Sequence, residues 1–215
     1  MLQARIGAIG DVHAEDRLLA SALDTLAAAG ASAILCVGDL ADGTGSLGRC
    51  LKLLRERNVA VVRGNHERWL LGDVMRDLPN ATAIAALSAE ERAYLAGLPP
   101  TMEFSTPFGG LLLCHGLGSN DMVKVTPDDY GYALESNDEL QKLLADPKIR
   151  FVVNGHSHRI MVRHFPGLTI MNAGTLKADN DPGFLMIDFD AEEVNFYGWD
   201  RDAFALRRID ELRLR

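Results

Sequence analysis

Short, nearly unbroken apolar runs recur along the chain, and each stops at a polar residue. The run at 4–9 stops before Asp11, that at 33–37 before Asp39, and that at 59–62 before Asn65. The run at 111–114 meets His115, 151–153 leads to His156, and Ile170-Met171 leads into Asn172. Runs this short and this rich in Val, Ile, Leu and Ala predict strands covered on both faces. Between the early runs the period changes. Leu18, Leu19, Ala22, Leu23, Leu26 and Ala27 form a helical stripe that predicts a helix over 14–29, with Gly30 as its C-cap. A second helix is predicted over 45–57 from Leu47, Leu51 and Leu54. Ser88 and Glu91 have the spacing of a capping box, and the helix they open should end by Gly97 because Pro99-Pro100 cannot continue it. A further helix is expected over 136–144, and 183–189 with 194–197 read as a hairpin. Helical crossovers thus fill the first half and strands the second, which two facing sheets with helices outside would accommodate.

Composition narrows this picture. A chain of 215 residues with 47% hydrophobic and 24% charged positions fits a single domain, 1–215, with a substantial core. The net charge of -8 argues against a nucleic-acid groove or an anionic membrane surface as partner. No apolar run approaches the roughly 18 residues of a membrane span, and Asp11 and His13 interrupt the first run too early for a signal segment. Cys36, Cys50 and Cys114 are odd in number and lack paired ligand spacing, so the expected setting is reducing and cytoplasmic.

The residues at the strand ends carry the chemistry. Asp11-Val12-His13, Gly38-Asp39-Leu40-Ala41-Asp42, Gly64-Asn65-His66-Glu67, Cys114-His115-Gly116 and Gly155-His156-Ser157-His158 hold five of the six histidines. Asp, Asn and His suit divalent Mn, Fe, Zn, Ni or Mg. Taken singly, each piece has an ordinary reading: a Gly-Asp starts a turn, and a lone His can be a satisfied core residue. Five strand ends that each deliver an Asp, Asn or His supply enough oxygen and nitrogen donors for two metal ions.

In order and spacing these pieces resemble the calcineurin-like metallophosphoesterases of the small bacterial type, whose pattern is D-x-H, G-D-x-x-D, G-N-H-E or G-N-H-D, a lone His, then G-H-x-H. The resemblance implies an α/β fold, a four-layer α-β-β-α sandwich of two facing mixed sheets with a dimetal site at strand carboxyl ends. It implies that Asp11, His13 and His158 hold one metal, that Asn65, His115 and His156 hold the other, and that Asp39 bridges them, with Mn the expected pair. It further implies in-line attack on phosphorus by a metal-bridging hydroxide. His66, outside both ligand sets, would contact phosphate and assist the leaving group. Asp42 would orient His66, although a turn or cap acceptor explains Asp42 as well. Arg63 either neutralises phosphate or braces its loop through an ion pair. Where protein Ser/Thr phosphatases and symmetrical dinucleoside tetraphosphatases carry an arginine in G-D-x-x-D-R-G, this chain has Gly43.

The expected function is therefore a dimetal phosphoester hydrolase, either a phosphodiesterase or a broad phosphomonoester and diester hydrolase, acting on a small phosphoester or nucleotide-like substrate. A nucleotide or Ser/Thr phosphoprotein phosphatase is the alternative, and a non-catalytic metal-stabilised scaffold a third reading. Residues 116–129, rich in Gly, Ser, Asn and Asp, read as a flexible rim with Tyr130 and Tyr132, and 71–100 as a second rim. Lys124, Arg159 and Arg163 are candidate rim charges or solvated cations. Cys114 reads as a small buried hydrophobe and His164 as structural or exposed. Asn172 reads as a bond near the metals or a strand-ending turn. A homodimer through the outer helices or the C-terminal hairpin is compatible with the sequence.

Overall fold

A computed structural model describes residues 4–72, 74, 77–200 and 205–214. The beginning of the first apolar run (1–3) and residues 73, 75 and 76 of the 71–100 rim lie outside the described residues. The elements run β1 (Arg5–Ile9), α1 (Asp16–Ala28), β2 (Ala33–Cys36), α2 (Leu47–Glu56), β3 (Ala60–Val61), α3 (Asn65–Leu71) and α4 (Ala89–Gly97). There follow β4 (Thr101–Thr106), β5 (Gly109–Cys114), α5 (Tyr132–Glu135), α6 (Asp138–Ala145), β6 (Ile149–Asn154), β7 (Met161–Phe165), β8 (Leu168–Asn172), β9 (Gly183–Asp188), β10 (Glu193–Asp200) and β11 (Ala205–Arg213).

Among the described residues these strands form two mixed sheets, ordered β11-β10-β9-β1-β2-β3 and β4-β5-β6-β8-β7. β1, β2 and β3 are parallel, as are β5, β6 and β8. Alternation along each strand divides the core into three apolar layers. Ile6 and Ala8 face the second sheet with Leu111, Leu113 and Val153. Ile9 and Cys36 point the other way, onto Leu23 and Leu26 of α1 and Leu51 and Leu54 of α2. Leu112 and Cys114 meet Leu140 of α6 on the outer face of the second sheet. The architecture is the expected α-β-β-α sandwich. Leu23, Leu26, Leu54 and Leu140 are wholly buried, each contributing on the order of 1.5–3 kcal/mol of transfer free energy.

Local signals behaved as their chemistry dictates. The Ser88 hydroxyl accepts from Glu91 N at 3.2 Å while the Glu91 carboxylate accepts from Ser88 N at 2.8 Å, the reciprocal cap of α4. Gly30 follows α1 with φ +82°. The first two helices begin later than the apolar stripe suggests, because Ala14 has φ +57° and turns the chain before α1, and Ser46 caps α2. The helix expected at 136–144 starts at Asp138 under an Asn137 cap, with α5 as a separate turn before it. The hairpin β9–β10 forms and gains a third strand, β11. α3, β4, β7 and β11 are elements the apolar pattern does not announce. No helix among the described residues is long and apolar enough to cross a membrane.

Candidate metal centre

The carboxyl ends of the parallel strands of both sheets meet along one seam, and all the ligand-type residues lie there. Asp11 and His13 follow β1, Asp39 follows β2, and Asn65 opens α3 after β3. From the second sheet, His115 follows β5 and His156 and His158 follow β6. Two groups of donor atoms form, each mutually within 4.8 Å: Asp11, His13, Asp39 and His158, and Asp39, His115 and His156. Asp39 belongs to both. The Asn65 side-chain oxygen is 2.9 Å from His115 Nε2, which brings it to the second group.

Backbone carbonyls set the direction of the imidazoles. His115 Nδ1 lies 2.8 Å from the Val37 carbonyl, and His13 Nδ1 lies 3.1 Å from those of Ala41 and Asp42. A carbonyl only accepts, so each Nδ1 carries a proton and each Nε2, once unprotonated, turns its lone pair into the seam. There His115 Nε2 faces two further acceptors, Asn65 Oδ1 and Asp39 Oδ2 at 3.3 Å. His13 Nε2 faces His158 Nε2 at 3.1 Å. Carboxylate oxygens, an amide oxygen and imidazole nitrogens thus crowd the seam, a ligand set that fits a divalent cation.

Protonation follows the same logic. Burial lifts Asp11 to about 7 against the attraction of His115, with the Asp39 charge adding to the rise. Burial also opposes charge on Asp39, but the surrounding imidazoles, His115 foremost, hold it below the usual carboxylate range. His115 resists burial because Asp39 and Asp11 favour its cation, and it rises to about 10. Its proton stands where a cation would be held. Burial lowers His13 and His156, and together with the His13 charge takes His158 to about 4, leaving three neutral imidazoles able to ligate.

The loops that present these groups bend sharply. His13, Ala14, Asp39, Asp42, His156 and His158 all have positive φ, a conformation that costs non-glycine residues on the order of 1 kcal/mol or more each unless the surroundings hold it. Glu67 does much of the holding. Its wholly buried carboxylate accepts from the backbone N–H groups of Asp39, Leu40, Ala41 and Gly64 at 2.7–3.1 Å. Gly64 is obligatory at this junction, since a Cβ there would lie 2.2 Å from Asp39 Oδ1. On the other side, Asn172 donates to the Gly155 carbonyl at 2.5 Å and to Asn154, bracing the loop that carries His156 and His158.

His66 stands apart from both groups. Its Nδ1 is 2.5 Å from Asp42 Oδ2, while Nε2 looks toward Asp39 Oδ2 at 3.8 Å. Asp42 is fixed in turn by Thr82, whose N–H donates to Oδ1 at 2.7 Å and whose hydroxyl accepts from Asp42 N. Burial disfavours the His66 cation, yet the Asp42 hydrogen bond and the Asp39 charge outweigh it and raise its pKa. A cleft of about 620 Å³ opens beside His13, His66 and His158. A second, of about 330 Å³, lies on the His115 side and is lined by Arg63. The half-buried Arg63 guanidinium makes no ion pair or hydrogen bond among the described residues.

Of the rim cations, Arg159 and Arg163 are engaged elsewhere. Arg163 donates to the carbonyls of Thr126 and Asp129, and Arg159 pairs with Asp128 at 2.5 Å. With the Arg68–Asp121 pair they tie down the loop that composition alone marks as flexible. Cys114 is buried, its thiol pushed up to about 12, and is no nucleophile at neutral pH. His164 is exposed against Thr169. The sequence reading missed Thr82, Lys177 and Asn180, whose side chain lies 3.2 Å from His158 Nδ1. A polar residue close after the Asn172-Ala173-Gly174 turn was the only available signal for the last two.

Residues 4–192 match the family model of the calcineurin-like phosphoesterase superfamily domain. An uncharacterized protein of Methanocaldococcus jannaschii is 25% identical over 193 residues, covering 86% of this chain and 75% of that one. A metallophosphoesterase from Sphaerobacter thermophilus superposes with a TM-score of 0.69 at 23% identity, over 94% of this chain and 90% of its own. A hypothetical protein from Pyrococcus horikoshii gives 0.73 at 14% identity, over 93% and 90%. The two structural likenesses establish the fold alone.

Proposed function

Because the chain belongs to the calcineurin-like phosphoesterase superfamily, we propose that it is a two-metal phosphoester hydrolase, a phosphodiesterase or a broad phosphomonoester and diester hydrolase. The observation that carries this reading is the division of the seam. Two ligand groups share Asp39, and one imidazole, His66, is held just outside them by Asp42. Asp11, His13, His158 and Asp39 would hold one cation, and Asn65, His115, His156 and Asp39 the other. When bound, the cations supply Lewis acidity to phosphoryl oxygen and activate water for in-line attack.

The chain's own groups do the rest. His66 presents Nε2 to the leaving oxygen and gives it a proton, while its Nδ1–H stays on Asp42 and the aspartate steadies the imidazolium form. Arg63, which lines the second cleft and has no ion pair among the described residues, would meet a phosphoryl oxygen from the opposite side. Mn is the proposed native pair, and the three buried free cysteines fit a reducing, cytoplasmic setting. Residues 1–215 are taken as one domain carrying one such centre.

The test is hydrolysis of mono-aryl and bis-aryl phosphates by Mn-loaded protein, abolished by chelation. Absence of turnover with Mn, Fe, Zn, Ni and Mg alike would sink the proposal. Nucleotides, dinucleotides and phosphopeptides assayed under the same metal condition separate a dedicated nucleotide or phosphoprotein phosphatase from the broader hydrolase.

A further inference from the structure

The 620 Å³ cleft is the open approach to His66 and the first donor group, and carboxylates outnumber Lys and Arg on its described lining. Glu15, Asp42 and Asp179 line it, and Lys177 is the sole Lys or Arg among its described lining residues. The wall formed by Gly43 and Thr44 offers no cation, and Gly43 cannot carry a side chain, because its Cβ would lie 1.7 Å from the His13 carbonyl oxygen. Beyond His66 and the cations the donor groups would hold, a phosphoester entering here, as the proposed function requires, meets Lys177 as the basic side chain of the described lining.

Lys177 is held in register with the centre. Thr175 donates its hydroxyl to the Asp11 carbonyl at 2.8 Å, and the same oxygen accepts from Lys177 N at 3.0 Å. The Lys177 carbonyl in turn accepts from Asn180 N at 2.9 Å. The backbone of the lysine is thus two hydrogen bonds from a ligand-type residue. The ammonium itself is lightly engaged. Its partner is Asp179, two residues on, 3.3 Å away and largely exposed. An exposed local pair of this kind contributes little and exchanges readily.

We propose that Lys177 is a substrate-contacting residue whose ammonium leaves Asp179 to hold a non-bridging oxygen of the phosphoryl group bound beside His13 and His158. The inference rests on the phosphoester reading of the site and adds to it a side-chain cation on the open wall of the cleft. A lysine is a single point charge on a flexible stem, without the fixed two-pronged geometry of a guanidinium. It therefore favours the more highly charged monoester over the diester without demanding one substrate shape.

Orthophosphate binding to the metal-loaded protein tests this, with metal content measured on each variant. Lys177→Gln is expected to retain the metals of the unsubstituted protein and to weaken orthophosphate by about tenfold or more, the loss of one charged hydrogen bond. KM for a mono-aryl phosphate should rise in parallel with little change in kcat, and a bis-aryl phosphate should be affected less. Lys177→Arg should keep most of the affinity. Unchanged orthophosphate affinity in Lys177→Gln, or equal loss in the Gln and Arg variants, overturns the assignment. Lys177-dependent orthophosphate binding without turnover of any ester would instead overturn the hydrolase reading and leave the Lys177 contact standing.

Discussion

Replacing Glu67 by glutamine tests how the site is built. The carboxylate receives four backbone N–H groups, three from the Asp39–Ala41 turn and one from Gly64. A glutamine amide offers one accepting oxygen, so its NH2 would confront two of those donors, either the Asp39–Gly64 pair on Oε2 or the Leu40–Ala41 pair on Oε1. Each buried donor left unpaired costs about 1–3 kcal/mol. Two give roughly 2–6 kcal/mol, less whatever is regained because a neutral side chain is easier to bury than a charge. Burial pushes the Glu67 carboxyl up, so that relief is real but smaller than the loss of two bonds. A net destabilisation of about 2–4 kcal/mol is expected, a large fraction of the 5–15 kcal/mol typical of a domain. The turn that frees itself carries Asp39, shared by both donor groups, so both cations should be lost together. Urea unfolding of metal-free protein gives the first quantity and metal analysis after gel filtration the second. A Glu67→Gln protein within about 1 kcal/mol of the original and still holding both metals would refute the clamp.

Other consequences can be checked directly. Asp42→Asn should lower kcat by about tenfold or more while leaving metal content unchanged, since the partner that favours charged His66 is gone; an unaltered kcat removes Asp42 from the mechanism. Gly43→Ala should impair folding or metal retention, because even a methyl meets the His13 carbonyl, and a soluble variant with normal metal content contradicts that. Metal uptake near neutral pH should release protons. His115, raised to about 10, and Asp11, raised to about 7, both carry protons below those values and must shed them to ligate. Affinity should therefore climb between about pH 6 and 8, and calorimetry in two buffers of different ionisation enthalpy reads the protons directly. A flat profile would show that these groups are not displaced.

What the sequence revealed was decided by how local each signal is. The buried parallel strands are legible because both faces are apolar, and their ends are legible because Asp, Asn and His replace aliphatic residues abruptly. α3 escaped notice because seven residues are too few to display a period, and its opening residues are occupied by the Gly64-Asn65-His66-Glu67 motif. β4 and β7 are edge strands of mixed polarity. β11 is as charged as a surface helix and becomes a strand by pairing with β10. In the site, donor types were readable one by one, but the grip of Glu67 on a turn 26–28 residues earlier belongs to tertiary structure. The same holds for Thr82, 40 residues from the aspartate it fixes, and for Lys177, which belongs to no motif.

The seam has a consequence for the life of the protein in a cell. Asp11, Asp39 and Asn65 ride on one sheet and His115, His156 and His158 on the other, with His13 and His158 separated by 145 residues of chain. Cations held there act as rivets between two halves of the molecule. Away from the seam the sheets are joined by a continuous apolar layer that needs no metal. A chain starved of metal would keep that layer and loosen along one rim, exposing bent loops that the loaded protein keeps closed. Proteases that attack loosened segments could then distinguish empty copies from filled ones, making metal supply a determinant of how long each copy survives.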